Sequence, residues 1–247
     1  STEVAPAGIA GPGAEDQDFA NLPVVTRSSD EVEYRQARFQ PPAGSTELLL
    51  IRHGESDAVR AGQPVPLFEG HSDPGLHPNG RLQAERVAGR LGGERIDALY
   101  VTSLRRTALT AAPLAKLLGH VPVVEPGLRE VHLGQWEAGL FRRMVAEKHP
   151  IAQRMWAEQR WDVIPDAEPA EAFRARVREA ITRVAGAHPD QRVAVFTHGG
   201  VIGEVLAMAT GAQPFAFVGA DNASISRVFV TERAWVVRGF NDTTHLA

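Results

Sequence analysis

Two hydrophobic periods alternate along this chain. Continuous apolar runs of about four to eight residues, bounded by turn-forming or polar positions, predict buried strands. They fall at Glu47–Arg52, Ala98–Thr102, Val121–Val124 and Arg192–Thr197, followed by Ser226–Thr231 and Ala234–Phe240. Between them apolar positions recur at helical spacing, predicting helices over about Gly80–Leu91, Leu104–Leu118, Leu140–Gln159, Pro169–Ala187 and Val201–Ala209. Strands separated by helices imply a mostly parallel sheet covered on both faces, that is, an α/β/α sandwich of three layers. The last two strands are joined closely at Glu232-Arg233, which predicts one antiparallel strand at an edge.

The pattern also divides the chain. Residues 1–45 form an acidic, Pro/Gly/Ala-rich N-terminal extension, of which 1–27 are expected to be mobile or draped on the surface. Ser28 and Glu31 have the spacing of a helix-capping box, so a short helix is expected through about Arg38, ending before Pro41-Pro42. Residues 46–247 form the main domain. A helical cap segment is expected over about 137–172, and Phe141, Met144, Trp156, Trp161 and Phe173 are interleaved with Arg142, Arg143, Lys148, Arg154 and Arg160. These are expected to be amphipathic helices with aromatics inward and solvated arginines outside. The competing reading is a cap that stacks a ring or grips a second anionic group of a substrate.

Composition narrows the chemistry. The 247 residues are 43% hydrophobic, and no apolar stretch approaches the length of a membrane span. Of the 30 acids and 26 bases, residues 47–247 hold 23 of each, so the main domain has no basic stripe for nucleic acid. The absence of cysteine excludes disulfides, thiolate nucleophiles and cysteine-ligated metals. Only two lysines are present, Lys116 and Lys148, and neither follows glycine, which removes the P-loop. Gly70-His71-Ser72-Asp73-Pro74 imitates a serine-hydrolase elbow, but it has proline at the second glycine position and no preceding apolar strand. Nothing near the start has the order of a signal peptide, so a cytoplasmic location is expected.

The candidate chemistry lies where strands end. Leu48-Leu49-Leu50-Ile51 runs into Arg52-His53-Gly54-Glu55-Ser56, and Val193-Ala194-Val195-Phe196 runs into Thr197-His198-Gly199-Gly200. Parallel strands deliver functional groups at their carboxyl ends, so adjacent strands would bring both imidazoles to one crevice. Beside His53, a plausible nucleophile toward phosphorus, stands Arg52, whose planar fork suits phosphate oxygens. Gly54 lets the backbone approach a bound group. After the strand ending at Thr102, Ser103 is placed to cap a helix whose first turn carries Arg105 and Arg106. Arg106, or alternatively Arg105, reaches the same edge. Glu130, flanked by Leu128 and Val131, suits a partly buried carboxyl group acting as a general acid.

These residues resemble the histidine phosphatase superfamily, also called phosphoglycerate-mutase-like. The match runs from about Glu47 to Leu246 through Arg52-His53-Gly54-Glu55-Ser56, Gly70-x-x-Asp73, Gly80-x-x-Gln83-Ala84, Leu104-x-Arg106-Thr107, Glu130 with Gly134-x-Trp136-Glu137, Thr197-His198-Gly199-Gly200, Asn222-Ala223-Ser224 and the closing Asn241-Asp242-Thr243-Thr244-His245-Leu246. The resemblance implies His53 as a nucleophile that carries phosphohistidine, and Glu130 as proton donor and then base. It implies Arg52, Arg106, a protonated His198 and Gly199 around the phosphoryl group, with Ser56 and Gly54 as additional contacts. No metal and no cofactor is implied, and His53 is expected to donate from its second nitrogen to a backbone carbonyl. The chain departs from the pattern at Val59, where many relatives carry asparagine, and at Thr102-Ser103.

The implied activity is hydrolysis of a small phosphorylated metabolite, with no nucleic-acid or membrane partner, by a monomer or homodimer. Glu130 and His198 are 68 positions apart, an excursion shorter than that of the cofactor-dependent mutases. This favours phosphatase over a mutase-type phosphotransferase. A noncatalytic phosphate-ester or phosphoprotein binder is the reading from another class, and loss of His53 or Glu130 would be its signature.

Overall fold

The computed structural model of the chain describes residues 24–28 and 31–247, with side chains from Tyr34 onward. The chain divides into two units between Ala43 and Gly44. In the first, β1 (Val24–Ser28) and β2 (Glu31–Arg35) pair antiparallel, with Ser28 opposite Glu31. The helix expected from Ser28 is therefore replaced by a strand: Val24, Val25, Thr26, Val32 and Tyr34 are β-branched or aromatic and favour extended backbone over a capping signal. The part of the expected leader before Val24 lies outside the described residues.

The second unit carries β3 (Thr46–Arg52), β4 (Leu67–Phe68), β5 (His71–Ser72), α1 (Pro78–Leu91), β6 (Ala98–Val101), α2 (Arg105–Leu118) and β7 (Val123–Val124). It continues through α3 (Leu140–Ala146), α4 (Pro150–Glu158), α5 (Ala170–Gly186), β8 (Arg192–Thr197), α6 (Gly199–Thr210), β9 (Ile225–Val230) and β10 (Trp235–Asp242). Six strands form one sheet in the order β10-β9-β3-β8-β6-β7. β3, β8, β6 and β7 are mutually parallel. The antiparallel pairing expected near an edge is made by β9, which opposes both β3 and the outermost strand β10.

Alternation along the central strands sorts the core into two layers. Leu48, Leu50, Val193 and Val195 face α5 and α6, packing with Phe173, Val177, Ile181 and Val205. Leu49, Ile51, Ala194 and Phe196 face α1 and α2, packing with Val87, Leu91, Ala111 and Leu114. Each such leucine or isoleucine, withdrawn wholly from water, stabilises the fold by about 1.5–3 kcal/mol. Strands buried on both faces explain why the sequence shows apolar runs rather than alternation.

The helix expected over Leu140–Gln159 is two helices. Lys148 adopts φ +53°, and Pro150 begins the second helix because its ring and missing N–H bar the first from continuing. The His149 Nδ1 accepts the Ile151 N–H at 3.2 Å and caps α4. Trp136, Ala152, Met155 and Ile164 form a third cluster beneath these helices, with Phe141, Met144 and Trp161 packed on it. Among the described residues no helix is long and apolar enough to cross a membrane.

The register is what assembles the site. Arg52 pairs with Thr197 across β3 and β8, so His53 and His198 are the next residues past one sheet edge. β6 lies beside β8 and delivers Thr102 and the start of α2 to the same edge. Because β9 runs the other way, its beginning arrives there too, bringing Asn222.

Candidate active site

His53 and His198 stand edge to face with ring centroids 5.2 Å apart. His53 is fixed at both backbone and ring. Its N–H donates to the Thr197 carbonyl at 3.0 Å, its carbonyl accepts from Asn222 Nδ2 at 3.0 Å, and its Nδ1 lies 2.8 Å from the Gly54 carbonyl. A carbonyl can only accept, so Nδ1 carries the proton and Nε2 keeps its lone pair. Arg106 Nε donates to that Nε2 at 3.2 Å. Burial, then the Arg106 and Arg52 charges, push His53 well below the ordinary histidine value. The imidazole is thus neutral with its free nitrogen aimed among cations, as an attack on phosphorus requires.

His198 is fully buried, and its Nε2 lies 2.9 Å from the Thr102 hydroxyl. That hydroxyl accepts the Leu104 N–H at 3.3 Å and lies 3.2 Å from the Thr107 hydroxyl. His198 Nδ1 is buried without a protein partner, and it carries the proton in the tautomer whose Nε2 accepts from Thr102. Burial, then Arg106, His53 and Arg52, hold His198 well below the ordinary value too. Burial first, and then the neighbouring arginines, thus favour the neutral form of the imidazole in the free protein over the protonated one expected there. The neutral imidazole contributes an N–H dipole, and an arriving phosphate dianion would reverse the electrostatic penalty on protonation.

The two arginines are held from behind. Arg52 Nη1 donates to the Ala220 carbonyl at 2.5 Å, while its buried Nε has no partner. Arg106, in the first turn of α2, donates from Nη1 to the Ser72 carbonyl at 2.8 Å. The Ser72 amide and hydroxyl both donate to Glu137, which also accepts the Leu133 N–H. Glu137 therefore positions Arg106 through Ser72, and the Gly70–Pro74 segment rejected as a hydrolase elbow serves to seat an arginine. Burial lowers the Arg106 guanidinium to about 10, which leaves it charged at neutral pH. Arg105, the alternative candidate, turns away to Asp73, donating from Nε to its carbonyl at 2.7 Å. Ser103 does not cap α2. The Arg105 N–H is instead taken by the Asp73 carboxylate at 2.8 Å, and the Ser103 hydroxyl is buried without a partner.

Glu130 reaches the cleft from the loop after β7. One carboxylate oxygen accepts the Val131 N–H at 3.0 Å and the other the Gly200 N–H at 3.1 Å, in the first turn of α6. Any side chain at Gly200 would strike this carboxylate. Gly199 opens α6, with Arg52 Nε 3.4 Å from where a β-carbon would lie.

Two expected contacts have other partners. Gly54 donates its N–H to Thr110 at 3.0 Å, and its bareness is needed by the Gly80 backbone rather than by a ligand: a β-carbon there would lie 2.5 Å from the Gly80 carbonyl oxygen. The Ser56 hydroxyl accepts from Arg142 Nη2 at 2.5 Å, and Arg142 Nη1 donates to the Asp57 carbonyl at 2.8 Å. Arg142 stays exposed, as expected, but its guanidinium is anchored to the Ser56–Asp57 loop at the rim of the cleft. Val59 is one of the residues lining the cleft and packs toward Gly139. The cleft encloses about 1140 Å³, with Arg52, His53, Arg106 and Glu130 on its floor and Val65, Leu140, Phe141 and Arg142 on the wall from the cap segment and the loop before β4.

Comparison with known proteins places the chain in a family. The model of the histidine phosphatase superfamily (branch 1) matches residues 48–243. The chain belongs to the histidine phosphatase superfamily. A metal-independent phosphoserine phosphatase of Arabidopsis thaliana is 33% identical over 206 residues, covering 82% of this chain and 84% of that one. Phosphoserine phosphatase 1 of Hydrogenobacter thermophilus is 32% identical over 203 residues, covering 81% and 94%. Among solved structures, a mycobacterial glucosyl-3-phosphoglycerate phosphatase superposes with a TM-score of 0.67 at 27% identity, covering 81% of this chain and all of the other. A phosphoglycerate mutase of Bacillus anthracis gives 0.69 at 19% identity over 83% and 96%, which is a likeness of fold alone. This histidine phosphatase is therefore similar both to hydrolases and to a mutase.

Proposed function

We propose that the protein is a metal-independent phosphomonoesterase that works through a phosphohistidine intermediate on His53. The observation that carries the reading is His53 itself, with Nδ1 tied to a carbonyl and Nε2 unprotonated beside Arg106. In the first half-reaction Nε2 attacks phosphorus, the P–O ester bond breaks, and Glu130 gives its proton to the leaving oxygen. In the second, the Glu130 carboxylate takes a proton from water, the water oxygen attacks phosphorus and the P–N bond breaks. Arg52, Arg106, the His198 N–H and the Gly199 N–H stabilise the charge on the equatorial oxygens. Residues 46–247 form the catalytic domain in this reading, with 137–172 its cap. The phosphatase names of the similar proteins support hydrolysis as the outcome.

The test is release of inorganic phosphate from para-nitrophenyl phosphate in excess EDTA, across about pH 4.5 to 8, beside His53→Ala. Turnover that survives EDTA and is abolished in the variant is expected. No turnover at any pH would overturn the reading, and phosphoryl transfer to a second ester instead of water would replace it with the mutase.

A further inference from the structure

Glu130 sits on a loop, and a carboxyl group that must reach a leaving oxygen needs the backbone behind it to be fixed. Its side chain is held by the Val131 and Gly200 amides. The backbone is held by side chains: each of the four consecutive carbonyls from Gly127 to Glu130 accepts a hydrogen bond from one. Thr197 Oγ1 donates to the Leu128 carbonyl at 2.9 Å. A single guanidinium takes the other three. Arg176 Nη1 donates to the Gly127 carbonyl at 2.9 Å and the Arg129 carbonyl at 2.8 Å, and its Nη2 donates to the Glu130 carbonyl at 2.9 Å.

The same fork is pinned along its other edge. Glu168 accepts from Arg176 Nε at 2.6 Å and from Nη2 at 2.8 Å, so all three guanidinium nitrogens are engaged. Glu168 also closes the far end of the loop, accepting the His132 N–H at 3.2 Å and donating its own N–H to the His132 carbonyl at 2.9 Å. The guanidinium carbon lies 4.9 Å from the centroid of the Phe173 ring, a core side chain, which sets the plane of the fork. Two turns further along α5, Arg183 pairs with Glu125, whose carboxylate accepts the Gly127 N–H at 2.9 Å. Segment 125–132 is thus gripped from Glu125 to His132.

We propose that Arg176 and Glu168 are positioning residues for the general acid: together they hold the backbone of Glu130 so that its carboxyl group meets the leaving oxygen. Neither lines the cleft, so they act through Glu130 and not on the substrate. The inference rests on the phosphatase reading of the cleft. A planar fork suits the role because a lysine ammonium, a compact point charge, cannot bridge three carbonyls to a carboxylate in one plane. The charge of Arg176 is felt at His198, and lysine keeps that charge. Arg176→Lys therefore removes the geometry and spares the electrostatics.

Phenyl phosphate and para-nitrophenyl phosphate share a ring and differ in how far the leaving oxygen needs a proton. Their ratio in kcat/KM, which reports the first half-reaction, reads the acid. Arg176→Lys is expected to lower kcat/KM for phenyl phosphate by about tenfold to a hundredfold more than for para-nitrophenyl phosphate. In a Glu130→Gln background it should add no further discrimination. Glu168→Gln, which keeps the shape and one acceptor oxygen, should shift the ratio the same way by a smaller factor, and it carries the test if Arg176→Lys does not fold. Equal losses on both esters, or the same added discrimination in Glu130→Gln, would overturn the proposal, because a brace that merely stabilises the fold lowers both esters alike. Amide hydrogen exchange read by NMR needs no turnover. The Val131 and Gly200 amides, which donate to Glu130, should exchange about tenfold faster in the variant, while Ile202, bonded to the His198 carbonyl in the same helix as Gly200, should not change. Unchanged exchange at both amides would also overturn the proposal. If the unsubstituted protein hydrolyses no ester, the phosphatase reading falls, while the exchange rates still decide whether Arg176 holds Glu130.

Discussion

Replacing Gly80 by alanine should cost this protein both stability and activity, although Gly80 lies inside a helix where alanine is normally the better residue. In an unconstrained helix the change stabilises by about 0.5–1 kcal/mol. Here α1 begins against the loop that follows His53. A β-carbon on Gly80 would sit 2.8 Å from the Glu55 nitrogen and 2.9 Å from its carbonyl carbon, and closer still to its carbonyl oxygen, where real contacts do not fall below 3.0 Å. All three are backbone atoms of the nucleophile loop, and Glu55 N is already bonded to Gln83 at 2.8 Å while the Glu55 carbonyl accepts from His77 at 3.0 Å. The loop must retreat by about 1 Å, a misplacement of reacting groups that costs on the order of a hundredfold in rate. Overpacking of this kind destabilises by about 1–3 kcal/mol, and three backbone clashes put Gly80 at the upper end, so after the helix gain the net loss is about 2 kcal/mol and the Tm falls by about 4–8 °C. Gly89→Ala is the control: it lies on the same helix with nothing within 4 Å of its would-be β-carbon. It should leave turnover unchanged and raise the Tm by about 1–4 °C. Thermal melts and para-nitrophenyl phosphate turnover read both variants. Full activity and an unchanged or raised Tm in Gly80→Ala would refute the claim that this crossing of backbones sets the His53 loop.

Three further outcomes are expected. Thr102→Val keeps the shape of a 2% exposed side chain but removes the hydroxyl that fixes His198. An imidazole nitrogen left buried and unpaired costs about 1–3 kcal/mol of stability, and kcat should fall with a shifted pH profile, which a purely structural defect would not produce. Glu130→Gln should slow alkyl phosphates by about 10²- to 10⁴-fold but para-nitrophenyl phosphate much less, because its leaving group needs little protonation; equal losses would remove Glu130 as the acid. The two buried histidines also fix a direction with pH. Their folded values lie well below the ordinary one, so below about pH 6.5 the unfolded chain binds protons that the folded state refuses, and stability falls with acidification by up to about 1.4 kcal/mol per unit for each histidine. Urea unfolding between about pH 7 and pH 5 should show this slope, and His198→Asn should remove one histidine's share; a flat profile would mean that the imidazoles are not held neutral.

What was legible in the sequence followed from period and from strand ends. Leu48–Ile51 and Val193–Phe196 announce strands buried on both faces, and parallel pairing then brings His53 and His198 together, so the meeting of the two imidazoles was readable from the sequence. The supporting layer could not, because it depends on partners distant in sequence. Ser72 seats Arg106 only because Glu137, 65 positions on, holds its amide and hydroxyl. Asn222 reaches the site because β9 alone runs in reverse. Gly54 reads as a glycine that admits a ligand, yet it is bare for Gly80. Arg142 has the helical spacing of a solvated face, and only the bond to Ser56 reveals which way it points. Pro150 was readable as a helix break, but the apolar pattern on both sides of it masked the interruption. The same competition at Ser28 went to β-branched propensity over a capping signal.

The most direct test of the account is to trap the phosphorylated protein. Rapid acid-free quenching during turnover, followed by peptide mass mapping, should find one phosphoryl group on Nε2 of His53, stable to base and lost in acid, and absent from His53→Ala. Phosphate found on His198 or on any hydroxyl, or steady-state hydrolysis with no phosphoprotein on any timescale of the reaction, would contradict it.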